Sequence, residues 1–173
     1  MNKKELREIR AQHVLWLDSD GKQGRRADLR GVNLSWANLY EAYLDGADLR
    51  GADLRGADLG RANLGRASLR GANLDGASLT GANLYGASLR GANLRSVNLR
   101  SVNLGRANLT GANLRRANLF DAFFVDANLN GAKLGPEIRE CWSFAQARVS
   151  EDQLAWLCLH PRFSEWVSGL EIS

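Results

Sequence analysis

The sequence predicts an all-β solenoid, a chain wound into stacked coils, on three observations. From Ala27 to Pro136 a five-residue unit recurs 22 times without insertion. Its third residue is Leu in 21 units, with Phe124 the exception, and its first is Ala in 19, with Val32, Val97 and Val102 the others. Glycine closes every fourth unit, at Gly31, Gly51, Gly71, Gly91, Gly111 and Gly131, a spacing of twenty residues.

Each part of the unit follows from backbone geometry. A period of five is foreign to an α-helix, because five residues advance the helix by about 500° and would smear the leucines around every side. Alternation of Ala, a polar residue and Leu is that of extended chain, so Ala and Leu face one way and the Asn, Asp or Ser between them faces the other. Ala and Leu therefore line the interior, and Leu29, Leu49, Leu69, Leu89, Leu109 and Phe124 are core residues. Burial of each Leu contributes about 1.5–3 kcal/mol. The last two residues of the unit must turn the chain, which explains glycine at the fifth position. Twenty residues per repeat of the glycine series means four corners per coil, with each unit stacked on the unit four later. At about 4.8 Å per coil the units build about five and a half coils and a rod about 26 Å long.

The tandem motif, Ala27-Asp28-Leu29-Arg30-Gly31 and its successors, resembles the pentapeptide-repeat family over some 110 of the 173 residues. The resemblance implies a right-handed quadrilateral β-helix with Leu or Phe at the inward centre of each side. The family's motif residues are structural and imply no single function.

Open solenoid ends expose core and unpaired strand edges, so both need covers. Residues 1–26 are read as the N-terminal cap and lead-in. Leu6, Ile9, His13, Val14 and Leu17 recur at helical spacing over 3–17, and Asp18-Ser19-Asp20-Gly21 stops the helix. Residues 137–173 are read as a helical C-terminal cap or tail. Ser150-Glu151-Asp152-Gln153 forms a capping box ahead of Leu154, Trp156, Leu157 and Leu159, and a last turn lies around Ser164–Trp166. Bulky residues stand near each end of the rod, Trp36, Tyr40 and Tyr43 at the start and Phe120, Phe123 and Val125 at the finish. The flanking helices are expected to fold back onto them. Cys141 and Cys158 match no metal-ligand spacing and read as reduced tail residues. No apolar run has the roughly 20 residues needed to cross a bilayer, and the charged start lacks a signal peptide's apolar core. The expected location is the cytoplasm, without membrane partners.

No catalytic constellation is visible. His13 and His160 sit in opposite flanks, so no nucleophile, base and orienter assemble. Asp48, Asp53 and Asp58 fall on successive faces and diverge, reading as solvated turn-side residues. The glycines follow the structural period rather than a phosphate-binding pattern, and no metal or cofactor motif occurs. Asn63, Asn83 and Asn103, and likewise Asn73, Asn93 and Asn113, fall twenty apart and should stack in columns that satisfy backbone and one another. The chain reads as no enzyme, with no cofactor.

Charge is the informative pattern. From Ala27 to Gly60 three Arg stand against six acids, whereas Arg61, Arg66, Arg70, Arg90, Arg95, Arg100, Arg106, Arg115 and Arg116 stand against the single Asp75, a net +8. Arg30, Arg50, Arg70 and Arg90 share one face. Asp28 and Asp48 precede the first two, and Ser68 and Ser88 precede the others, so the lower pair is compensated and the upper pair is not. A non-enzymatic protein-interaction or scaffold module is the leading expectation. The alternative is polyanion or nucleic-acid binding through this basic collar, since uncompensated arginines raise affinity and encounter rate. Only Tyr85 among aromatics lies within the collar, so a stacking platform for single strands is lacking. The family resemblance implies a third reading, because some members are DNA mimics that bind DNA gyrase, often as tail-to-tail dimers. Such mimics are acidic, and the basic middle coils argue against it here. Trp142, Trp156, Leu157, Phe163 and Trp166 supply candidate docking or dimer contacts in the tail. The expected partner is another protein, and the chain itself a monomer or a tail-to-tail homodimer.

Overall fold

The computed structural model describes residues 1–135, 147–149 and 171–172. The second residue of each unit pairs in parallel with the residue twenty on, from Asp28 with Asp48 up to Asn113 with Lys133. The chain is thus a four-sided right-handed β-helix, the hand that parallel crossovers take.

All five backbone N–H groups of a unit such as Ala92–Ser96 have acceptors. The first bonds back to the preceding leucine carbonyl, as in Ala52 N–H to Leu49 O at 3.1 Å. The second bonds down one coil, Asp53 N–H to Val32 O at 3.0 Å, and the third bonds up one coil, Leu54 N–H to Asn73 O at 2.7 Å. The fifth also bonds upward, as in Gly51 N–H to Arg70 O at 2.9 Å. The fourth amide has no backbone partner and is taken by the second residue's side chain, as in Arg95 N–H to Asn93 Oδ1 at 3.2 Å. Asparagine and aspartate dominate the second position because an unpaired amide is costly there.

Inside, the leucines and alanines of the units are buried, save the partly buried Ala37 and Leu134 near the two ends, and Phe124 is the largest fully buried side chain among the described residues. At the corners all of the fifth positions from Gly31 to Gly131 have φ near +60°. Glycine takes this left-handed conformation freely, but ten of these corners carry other residues, among them Trp36, Arg66 and Arg116. Each such residue costs about 1–2 kcal/mol relative to an ordinary backbone conformation.

The lower end is covered by α1, Lys3–Asp18, opened by a reciprocal capping box between Asn2 and Glu5. Leu6 and Ile9 pack against the core, and His13 is fully buried. The Ala27 amide has no earlier unit to bond to. His13 Nδ1 accepts from it at 3.1 Å, replacing the Leu or, at Ala127, Phe carbonyl that serves the later units. Trp16 stacks on the His13 ring at 5.5 Å and reaches over Gly46. Helical spacing alone did not single out that anchor.

At the upper end the ladder runs past the tandem units. Arg148 N–H donates to Ala127 O and Leu129 N–H to Arg148 O, both at 2.8 Å. Ala147 and Val149 fall in the Ala and Leu phase of the repeat and are fully buried. Arg148–Val149 (β1) then pairs in parallel with Glu171–Ile172 (β2). Strand therefore occurs inside the region read as helical tail. The helices expected over 150–159 and 164–166, both cysteines and His160 lie outside the described residues.

Candidate functional site

The arginines separate into two kinds once their neighbours are known. Arg30 grips Asp28 through two bonds, Nε to Oδ1 at 2.8 Å and Nη2 to Oδ2 at 2.6 Å. Arg50 holds Asp48 and Arg55 holds Asp53 with the same fork. The geometry follows from the unit: second and fourth residues flank an inward Leu, so both point outward at one corner. Asp48 and Asp53 are therefore held in ion pairs and are not simply solvated, and Asp58 caps the Gly60 amide at 2.9 Å. Side-chain hydrogen bonds from Arg30 push the Asp28 carboxyl down to about 2. Those from Arg50 and Arg55 hold Asp48 and Asp53 below the usual carboxylate range.

Carboxylates whose folded pKa is depressed contribute stability above their unfolded pKa, near 3.8, and lose it as pH falls through the folded value. The urea midpoint is expected to fall between about pH 4 and pH 2, and less steeply in the triple variant Asp28→Asn, Asp48→Asn, Asp53→Asn. Parallel pH profiles for the two proteins would contradict the pairing.

Two of the nine collar arginines are also neutralised, by partners twenty residues away that sequence proximity hides. Arg61 meets Glu41 at 3.5 Å and Arg106 meets Asp126 at 3.2 Å. Arg100 lies over the Phe120 ring at 5.1 Å. Among the described residues Arg66, Arg70, Arg90, Arg95, Arg115 and Arg116 have no carboxylate partner, and all are exposed.

Five of these six border one face. Its floor is the column Asn73, Asn93 and Asn113, with Asn93 Nδ2 donating to Asn73 Oδ1 at 3.0 Å. The corner entering this face carries Arg70 and Arg90, and the corner leaving it carries Arg95, Arg115 and Arg116. Three extended residues separate the corners, a width of about 10 Å. Arg116 occupies a left-handed corner, at φ +62°.

The aromatics near the start are not covered by the cap helix, contrary to expectation. Trp36 is 81% exposed, Tyr43 62% and Tyr40 42%. Trp36 and Tyr40 instead lie across glycines one coil up, Trp36 on Gly56 and Tyr40 on Gly60, where a Cβ would stand 3.0 Å from the Tyr40 ring. Tyr85 covers Gly105 in the same way. At these three places a flat ring uses the room left where the next coil lacks a side chain, so an aromatic followed twenty residues later by glycine was the available signal. Phe120, Phe123 and Val125 are also exposed.

Among the described residues no group of His, Cys, Asp and Glu side chains could hold a metal ion, and no helix is long and apolar enough to cross a membrane. The tail candidates Trp142, Trp156, Leu157, Phe163 and Trp166 lie outside the described residues.

A family model for pentapeptide repeats matches residues 27–66, 57–95 and 98–135. Among curated proteins none matches. Among solved structures the chain is similar to a pentapeptide repeat protein of the cyanobacterium Cyanothece, 34% identical over 68% of this chain, with a TM-score of 0.47. The chain spans 66% of that protein's length. It is also similar to a pentapeptide repeat protein of the Arabidopsis thaliana thylakoid lumen, 30% identical over 76% of this chain and 77% of the other, TM-score 0.39. A third likeness is to QnrB1, a plasmid-mediated fluoroquinolone resistance protein, 20% identical over 70% of this chain and 74% of that one, TM-score 0.49.

Proposed function

Because the chain belongs to the pentapeptide-repeat family, we propose that it is a non-enzymatic interaction module, a rigid rod that binds an anionic surface of another protein on the face floored by Asn73, Asn93 and Asn113. The observation that carries this reading lies within the chain itself. Where the solenoid neutralises an arginine locally it sets Asp two residues earlier, at Asp28, Asp48 and Asp53. Beside the candidate face the same position holds Ser68, Ser88, Asn93 and Asn113, and among the described residues the arginines that follow have no carboxylate partner. Exposed ion pairs contribute about 0–1 kcal/mol, so leaving these arginines unpaired costs the fold little and keeps their charge available.

The charge of this face is opposite to that of a DNA mimic. Free nucleic acid is the second reading, and the absence of aromatic rings from the face counts against single strands. The tail residues Trp142, Trp156, Leu157, Phe163 and Trp166 offer a further anchor, for the partner or for a tail-to-tail homodimer.

Fluorescein-labelled poly-L-glutamate is the defined probe. Its binding, read by anisotropy, is expected to saturate at about 50 mM salt and to weaken about tenfold by 200 mM as the arginines are screened. Absence of binding at low salt, or affinity indifferent to salt, would overturn the proposal.

A further inference from the structure

We infer that the element received by the Asn73–Asn93–Asn113 face is an acidic α-helix lying along the rod axis, an inference that rests on the reading of this face as an anion-binding surface. Width, spacing and floor chemistry support it together.

A helix with its side chains is about 10–12 Å across, close to the separation of about 10 Å between the two arginine-bearing corners. Along the axis the arginines repeat once per coil, about every 4.8 Å. Acidic side chains on one edge of a helix repeat about every 5.4 Å. Over the two steps from the coil of Arg70 to the coil of Arg115 the mismatch grows to only about 1 Å, within the reach of a flexible arginine. An extended acidic strand presents like-facing residues about every 6.8 Å, and its mismatch over the same distance is about 4 Å. A nucleic-acid duplex has a convex charged surface, which a flat face touches only along a tangent.

The floor selects polarity. Asn73 Oδ1 and Asn93 Oδ1 already accept amides, from Asp75 at 3.2 Å and Arg95 at 3.2 Å. Asn93 Nδ2 is spent on Asn73, but among the described residues the Nδ2 groups of Asn73 and Asn113 donate to no protein atom. These donors suit carboxylates and would be stranded under an apolar helix face. Asp75 occupies the leaving corner in the lowest of the three coils, below Arg95 and Arg115. The arginines therefore run obliquely from Arg70 and Arg90 on one side to Arg95 and Arg115 on the other, and the helix should tilt to follow them.

The test uses the full chain and a labelled, end-capped peptide of about 20 residues with Glu along both edges of one helical face and Ala and Gln elsewhere. A control of identical sequence carries three central residues of D configuration, which break the helix and leave the charge unchanged. The helical peptide is expected to bind at least about tenfold more tightly than its control at 50 mM salt. Arg90→Glu with Arg95→Glu should abolish that difference while the far-UV circular dichroism stays that of the parent. Asp75→Asn should tighten binding severalfold. Equal affinity for both peptides would overturn the helical partner and leave the anion-binding face standing. Tighter binding of a short DNA duplex than of either peptide would overturn it in favour of nucleic acid. If neither peptide, duplex nor poly-L-glutamate binds, both readings fall.

Discussion

Replacing Leu89 with Ala is expected to destabilise the fold by about 2–5 kcal/mol, the range for buried large-to-small substitutions, toward its upper end. Leu89 is fully buried in the fourth coil, between coils that are themselves complete. Its strand is fixed on both sides, with Leu89 N–H bonded to Asn108 O at 2.7 Å and Ser88 N–H to Ala67 O at 2.9 Å. The walls of the tube cannot move inward without breaking that ladder, so the cavity stays open. Leu34, in the first coil and slightly exposed at 3%, has a looser end beside it, and its truncation should cost less. Urea titration of both variants checks the order. A smaller loss for Leu89→Ala than for Leu34→Ala would show that the middle coils collapse around vacancies.

His13→Ala is expected to cost about 2–4 kcal/mol, since it leaves a buried amide without its acceptor and opens a cavity between α1 and the first coil. The wild-type junction is also sensitive to pH. Burial pushes the His13 imidazole below its ordinary value, and Asp45, through its backbone and its charge, pulls weakly the other way. Nδ1 must stay unprotonated to accept from Ala27. A histidine whose folded pKa is depressed stabilises the fold fully above its unfolded pKa, near 6.5, and the stabilisation is lost as pH falls below it. The wild-type urea midpoint should therefore drop between pH 7.5 and pH 5, and that of His13→Ala should stay nearly level. Equal drops in both would assign the pH response to other groups. In a solenoid each coil is held chiefly by its neighbours, so the first coil should fray before the middle ones, which hydrogen exchange at the Leu29 and Leu89 amides can resolve.

The interior of the 22 tandem units was legible in the sequence, because two nearly invariant positions in five leave one way to bury them. The start helix was legible for the same reason, its apolar residues keeping helical spacing as far as Leu17. The features hidden in the sequence depend on neighbours one coil away. Glu41 and Arg61 pair across exactly one coil's worth of chain, as do Arg106 and Asp126, and sequence distance hides both pairs. The resting of Trp36 on Gly56 and Tyr40 on Gly60 follows the same twenty-residue offset. The stacking of Ala147-Arg148-Val149 keeps the phase of the unit but lacks its Leu and Asn, so composition concealed it. The candidate face was partly legible. Ser68 and Ser88 ahead of Arg70 and Arg90 marked uncompensated charge, but the five arginines gather around one asparagine column only when the corners are placed in space.

The proposed function depends on a difference between arginines that the fold has already neutralised and arginines that have no carboxylate partner among the described residues. The most direct test compares two double variants that remove the same charge, Arg30→Gln with Arg50→Gln and Arg90→Gln with Arg95→Gln, in the poly-L-glutamate assay at 50 mM salt. The second pair is expected to lower affinity at least about tenfold and the first less than about threefold, because Arg30 and Arg50 are already held by Asp28 and Asp48. Equal losses in the two variants would mean that net charge alone governs binding, and would contradict the proposed function.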